Sequence, residues 1–326
     1  MKFFPISRDP GHFQKTLSAS QIEAMCIRAF GDSPVVSAQE LDSGLFNNTF
    51  LIVLEKGDQA ILRIAPDPTS RVFFNEVDLL RRENMLHPYF GAVSHLIPKI
   101  VYADFSHQLI DRDYMFQSYL AGELWDAIND DLSDVEISGL WKQLGCIAKE
   151  IHATRGRDGF GYPNPAKRHN RWSDAIMSIV EGMHRDLIDL QIDDSGVENF
   201  IDLLDKGRYY LDRIETPYLL HGDLWPKNIL VDRTDISPRI VGLLDSERGL
   251  WGDPMAEWIF HYWDVPPAFW ESYGEMDSGE GARFRKSAYF GMYTIQLFLE
   301  AWRFRWDDDK FRSNLLESTS EMIKYV

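Results

Sequence analysis

The segment His221-Gly222-Asp223-Leu224-Trp225-Pro226-Lys227-Asn228 places a carboxylate and a carboxamide five residues apart, on a stretch that enters the β-prone run Asn228–Asp232. That spacing lets both side chains point into one cavity. Phosphoryl transfer needs such a pair: an Asp can accept the proton of an attacking hydroxyl, while an Asn oxygen and a second carboxylate hold the magnesium that neutralises the β- and γ-phosphates. Magnesium is a hard cation with a preference for oxygen ligands. Asp245 supplies the second carboxylate at the end of the apolar run Arg239–Asp245, and Glu247 follows two residues later. Singly, Asp223 also reads as a turn cap, Asn228 as a partner for loop amides and Asp245 as an ordinary strand end. Their order joins them: His-x-Asp-x-x-x-x-Asn, then strand, turn, apolar strand and Asp, is the sequence of parts that a kinase catalytic region requires.

These side chains need a frame, and the residue pattern predicts one that changes near residue 120. Before it, Thr49–Leu54 and Gln59–Ile64 are β-prone runs separated by Glu55–Asp58, which reads as a hairpin. Ser70 is a candidate N-cap for a helix carrying Phe73, Phe74, Val77 and Leu80 at helical spacing. Tyr114–Leu120, ending in Ala121-Gly122, reads as a last strand followed by a hinge. Beyond it Ser133-Asp134-Val135-Glu136 is a capping-box pattern that opens a long apolar stripe from Ile137 to Ile151. Gly252-Asp253-Pro254 reads as a helix start before the apolar stretch Met255–Trp263, and the tail from Arg283 to Val326 returns to helical spacing.

With the motif and its frame together, the chain resembles the aminoglycoside phosphotransferase and choline kinase family, whose signature is His-Gly-Asp-x-x-x-x-Asn followed by an Asp at the metal. The resemblance implies an α+β, protein-kinase-like two-lobed fold. A small β-rich N-terminal lobe would span residues 1–120, with a hinge at about 117–122, and a larger, mainly helical C-terminal lobe would span 121–326. It implies Asp223 as catalytic base, Asn228 and Asp245 on one or two Mg2+ ions with Glu247 joining them, and His221 and Gly222 shaping the loop. Asp253 would brace that loop, while Lys227 either approaches the γ-phosphate or points to solvent.

For the nucleotide, the family expects a basic residue on the third strand, paired with a helix carboxylate; Arg63 and Glu76 fit. Arg63 stands where protein kinases carry lysine, and its fork can bind phosphate oxygens bidentately. In place of a glycine-rich phosphate-covering loop the chain offers Asp42–Asn48, with Ser43, Gly44 and Asn47 as donors. The hinge residues Gln117, Ser118, Tyr119 and Leu120 would present backbone groups to the purine of ATP, or of GTP. A Gly-x-x-x-x-Gly-Lys-Ser/Thr segment is absent, which removes the P-loop class.

Composition bounds the partners. With 51 acidic against 34 basic residues, the net charge of -17 argues against nucleic acid and against an anionic membrane surface, both of which need clustered cations. No secretory signal and no apolar run of transmembrane length is visible, and Cys26 and Cys146 lie far apart without metal-ligand spacing, so a cytoplasmic location is expected. The helical half is rich in aromatic and acidic residues, among them Trp251, Glu257, Trp258, Asp264 and Glu300, which suits an amine-bearing acceptor. The expected reaction is O-phosphorylation of an amino-bearing antibiotic. The alternative is a metabolic kinase of an amino alcohol, amino acid or sugar, of the fructosamine, choline or homoserine kinase kind.

Overall fold

The computed structural model describes residues 1–326 except Pro10, Asp32, Ser43, Asp193, Asp194 and Asp308. The expected phosphate donor Ser43 therefore lies outside the described residues. Strand formation in the first half follows period-two burial: in Asn48–Leu54 the residues Asn48, Phe50, Ile52 and Leu54 face inward and their neighbours are partly exposed. The strands are β1 (Lys2–Phe4), β2 (Val35–Leu41), β3 (Asn48–Leu54), β4 (Gln59–Ile64), β5 (Ile100–Asp104) and β6 (Tyr114–Ser118). They form one sheet in the order β1-β2-β3-β4-β6-β5, parallel between β1 and β2 and antiparallel elsewhere. The β3–β4 hairpin has the bounds its sequence predicts, within one residue.

Helix α1 (Ala19–Phe30) packs Ile22, Met25 and Cys26 against the inward residues Phe50, Ile52, Leu62 and Phe116 of this sheet. Its start is fixed by a capping box between Ser18 and Gln21. The helix expected from Ser70 is not there. Ser70 Oγ donates to the Phe13 carbonyl (3.0 Å), Phe74 N–H donates to Asp186 of the other lobe (2.6 Å), and Phe73 is buried in the helical core. Backbone and cap are thus claimed by tertiary partners, leaving one 3-10 turn at Phe74–Glu76; α2 (Leu79–Leu86) begins only after Asp78, which has a left-handed φ of 61°.

From β6 the chain passes through residues 119–122 into β7 (Glu123–Leu124), which belongs to a second sheet. There follow α3 (Trp125–Ile128), α4 (Asp134–His152), α5 (Trp172–Asp189), α6 (Ser195–Lys206) and α7 (Arg208–Leu211). Ser133 and Glu136 do form the capping box of α4. Then β8 (Tyr218–Leu220), β9 (Ile229–Asp232), β10 (Arg239–Leu243) and β11 (Leu250–Gly252) make two small sheets, β10-β9-β7 and β11-β8. Helices α8 (Ile259–Tyr262), α9 (Pro267–Tyr273), α10 (Glu280–Phe304) and α11 (Asp309–Met322) complete the chain.

Two helical cores carry this lobe. One packs α5, α6 and α10 around Trp172, Phe200 and Tyr289; the other packs α4 and α9 with β9 and β10 around Trp125, Leu144 and Phe269. The continuous helix expected over Met255–Trp263 is broken into a 3-10 turn and the short α8, because Glu257 between them is extended, at φ -64° and ψ 134°. Both cysteines are free thiols, and among the described residues no helix is long and apolar enough to cross a membrane.

Candidate active site

The loop from His221 to Asn228 leaves β8, passes through a 3-10 turn at Pro226–Asn228 and enters β9. Asn228 Nδ2 donates both to the backbone carbonyl of Asp223 (2.9 Å) and to its Oδ2 (2.8 Å), so the expected base and metal ligand are held side by side. Asp223 is half-buried. Desolvation pushes its pKa up to about 7, opposed by Arg248 and reinforced by Asp245. Gly222 has φ 79°, and a Cβ there would collide with the carbonyl of Arg248, so only glycine fits.

Glu257 braces the loop from beneath. Its carboxylate accepts the backbone N–H of His221 (2.8 Å) and of Gly222 (2.9 Å), and is itself fully buried beside His152 Nε2 (3.3 Å). This corrects the expectation for Asp253. That carboxylate instead accepts from Arg285 Nε (2.9 Å), Tyr289 OH (2.8 Å) and Met255 N–H (3.1 Å), so it ties α10 to the turn before α8. Asp253 has one oxygen capping its own turn and the other committed to α10, so the residue four positions on carries the brace. His221 contributes packing: it is completely buried against Phe90, and neither ring nitrogen has a hydrogen-bond partner.

Asp245 follows β10 in a left-handed conformation, φ 60° and ψ 51°, a placement that costs a non-glycine residue on the order of 1 kcal/mol. Such strain is common where a side chain must be aimed. Its Oδ1 lies 2.8 Å from Arg63 Nη2, which also meets Glu247 Oε2 at 2.5 Å. The other arm of the fork, Nη1, bonds Glu83 Oε2 at 2.6 Å. Although burial opposes a charge on Arg63, the three carboxylates of Glu83, Glu247 and Asp245 hold its pKa above the ordinary value. Gln117 Nε2 in turn holds the second oxygen of Glu83 (2.8 Å).

The helix carboxylate facing Arg63 is therefore Glu83 on α2, and Glu76 is elsewhere. Glu76 pairs with Arg303 from the end of α10 (2.5 Å) and accepts Phe73 N–H (2.9 Å), while burial pushes its pKa up to about 7. The helix starts only at Leu79, after Glu76, so the carboxylate that α2 presents to Arg63 of β4 is Glu83, seven residues on.

In the phosphate-covering loop, Gln14 Nε2 donates to the carbonyls of Gly44 and Asn47, each at 2.8 Å, and Asn47 Nδ2 donates to Glu247 (2.8 Å). A buried glutamine thus pins a loop that has one glycine. Of the hinge residues, Ser118 Oγ accepts Lys99 N–H (2.9 Å), Tyr119 is exposed and Leu120 packs over Gly242. Lys227 is exposed with its ammonium 5.1 Å from the Trp225 ring, which places it toward solvent.

As a test for magnesium, the centre offers the hard oxygens that this cation takes: the amide oxygen of Asn228 and the carboxylates of Asp245 and Glu247. The residues fit. Asn228 has its NH2 committed to Asp223, and Asp223, Glu83 and Glu247 all have their pKa raised by burial, a set of acids that a cation would relieve. Among the described residues no three His, Cys, Asp or Glu side chains form a preassembled metal cluster. Arg63 holds both acidic ligands instead.

The acceptor cleft of aromatics and acids does not assemble as expected. Trp251 and Trp258 are buried in the cores, Glu257 lies under the loop, Asp264 is exposed, and Glu300 pairs with Arg248 (3.0 Å). Arg248 is the unexpected neighbour of the base, lowering the pKa of Asp223 through its charge. Its position three residues past Asp245 is the only trace of it in the sequence.

The profile of the Phosphotransferase enzyme family matches residues 37–285. No curated protein matches the chain by sequence. Among solved structures, a thermostable mutant of aminoglycoside phosphotransferase APH(4)-Ia, in ternary complex with AMP-PNP and hygromycin B, is 19% identical with a TM-score of 0.63, covering 94% of this chain and 97% of that one. The GDP and kanamycin complex of APH(2")-IIia is 20% identical with a TM-score of 0.61, covering 93% and 98%. These likenesses establish a shared fold.

Proposed function

The chain belongs to the Phosphotransferase enzyme family, and from that premise we propose that it transfers the γ-phosphoryl group of ATP to a hydroxyl of a small molecule, with magnesium as cofactor. The observation that carries this reading is the hydrogen-bonded pair Asp223 and Asn228, with Asp245 and Glu247 gathered at Arg63. Asp223 Oδ2 is fixed by Asn228, and Oδ1, which has no hydrogen bond among the described residues, is the oxygen that would take the proton of the acceptor hydroxyl. A carboxylate near pKa 7 is a stronger base than one on the surface. Arg63, with Asn47 and the amides near Gly44, would hold phosphate oxygens, and Glu83 with Gln117 keeps its fork in place. When bound, magnesium would rest on Asn228, Asp245 and Glu247 and supply charge neutralisation of the β- and γ-phosphates.

For the acceptor, an amino-bearing antibiotic is one reading, supported by the ligands of the similar structures, hygromycin B and kanamycin. A metabolic kinase is the second, favoured by a cleft at the end of α10 whose lining includes Lys15, Arg71, Arg303 and Arg305 and which suits an anionic acceptor. The donor, ATP or GTP, is open in the same way, since the similar structures hold AMP-PNP and GDP. A nucleotide-consumption assay over antibiotics, amino alcohols, sugars and their acid derivatives separates these readings. Turnover on none of them with either nucleotide overturns the proposal.

A further inference from the structure

A cleft of about 650 Å³ lies between the segment Gly11–Lys15, the turn Thr69–Arg71 and the end of α10. His12, Lys15, Arg71, Arg303 and Arg305 line it, and among the described residues no carboxylate does, on a chain whose net charge is -17. Acidic residues dominate the chain as a whole, so a concave surface whose ionisable lining residues, among those described, are all basic is a local exception that favours anions. Arg71 and Arg305 are exposed and make no salt bridge among the described residues; the charge of Arg71 reaches Asp186, which is outside the cleft lining.

The floor of the cleft supplies an independent sign. The Arg303 side chain is 4% exposed, with its guanidinium carbon 4.1 Å from the Phe13 ring centroid and 4.3 Å from that of Phe73. Its Nη2 bonds Glu76, but Nε and Nη1 are buried without any hydrogen-bond partner. Ring faces cannot take both in-plane donors. Unmade hydrogen bonds of a buried charged group are costly, and the acceptors that match a guanidinium edge are the oxygens of phosphate or carboxylate.

The cleft is linked to the candidate active site through a short chain of contacts. Arg303 stands one helical turn past Glu300, which is bonded to Arg248, the cation whose charge bears on Asp223. Phe46 of the phosphate-covering loop lies 5.8 Å from the same guanidinium. We propose that this cleft binds a phosphate or carboxylate group, carried either on the acceptor or by a free anionic effector.

Calorimetric titration with inorganic phosphate tests the site directly, using the full chain with ATP analogue and magnesium present and the double variant Arg71→Glu/Arg305→Asn beside it. Asn suits the left-handed backbone of residue 305 (φ 57°), and both positions are exposed, so the fold should persist. Saturable binding weakened at least about tenfold in the variant is expected from the loss of two guanidinium partners. No saturable binding, or equal affinity in both proteins, overturns the proposal. The titration needs no turnover, so it succeeds or fails independently of the phosphotransferase reading.

The source of the anion is then read from kinetics, which do rest on that reading. For two acceptors that differ by one carboxylate, a KM rise of about tenfold in the variant for the acid alone assigns the anion to the acceptor. A change in kcat by free phosphate that the variant loses assigns it to an effector. Binding that moves neither constant overturns a role for the cleft in turnover.

Discussion

The proposed catalytic loop and the proposed nucleotide grip meet where Arg63 pairs with Asp245 and Glu247, yet they are built in different ways. In the loop, Asp223 and Asn228 are five residues apart and hydrogen-bonded to one another, and the glycine between His221 and Asp223 is required by its own backbone. The grip is assembled from far along the chain: Arg63 with Glu247 and Asn47 with Glu247, separated by 184 and 200 residues. A local device keeps its spacing in the sequence, whereas a long-range one leaves only residue types.

The sharpest break of this comparison is Asp223→Asn, expected to lower kcat by about 10³-fold or more while leaving the melting temperature near wild type, as removal of a general base does. Full activity in single-turnover kinetics would sink the catalytic assignment. Next comes the brace. Glu257→Ala strips two buried backbone N–H groups of their acceptor and should destabilise the fold by about 3 kcal/mol in denaturant titration. An equal loss of kcat in Asp253→Ala, with none in Glu257→Gln, would return the bracing role to Asp253.

The same turn carries a pH effect. Burial lowers the pKa of His261 from 6.5 to about 4, with Met255 O as its partner. Between those values the unfolded chain binds a proton that the folded chain does not, so stability is full above pH 6.5 and falls as the pH drops toward 4, by at most about 3 kcal/mol. A His261→Asn variant should flatten that slope in melts across the window. The smallest effect distinguishes the two buried carboxylates Glu83 and Glu76. Glu83→Gln should raise the KM for nucleotide about tenfold by freeing the Arg63 fork, while Glu76→Gln should lower the melting temperature by a few degrees and leave that KM unchanged. Reversed outcomes would restore Glu76 as the partner of Arg63.

The β3–β4 hairpin was legible because alternation of Asn48, Phe50, Ile52 and Leu54 states which face is buried, and α4 because its capping box is local. The stretch after Ser70 misled for the opposite reason. Phe73 and Phe74 sit at helical spacing, but their environment is the other lobe, through Asp186 and the Trp172 core. Once that contact takes the Phe74 N–H, the first turn of the helix cannot form, and the register shift replaces Glu76 by Glu83 opposite Arg63.

What the amino-acid sequence determined by itself was the pairing of Asp223 with Asn228 and the placing of Asp245 after the next strand, the proposed reacting core, because proton transfer and metal binding would impose short spacings on one loop and one hairpin. Which carboxylate meets Arg63, which one braces the loop, and where cations gather against the net charge were decided by the tertiary structure alone. Side chains such as Glu83, Glu257 and Arg303 take their roles from burial and from partners distant in the chain, and neither is written in the order of residues.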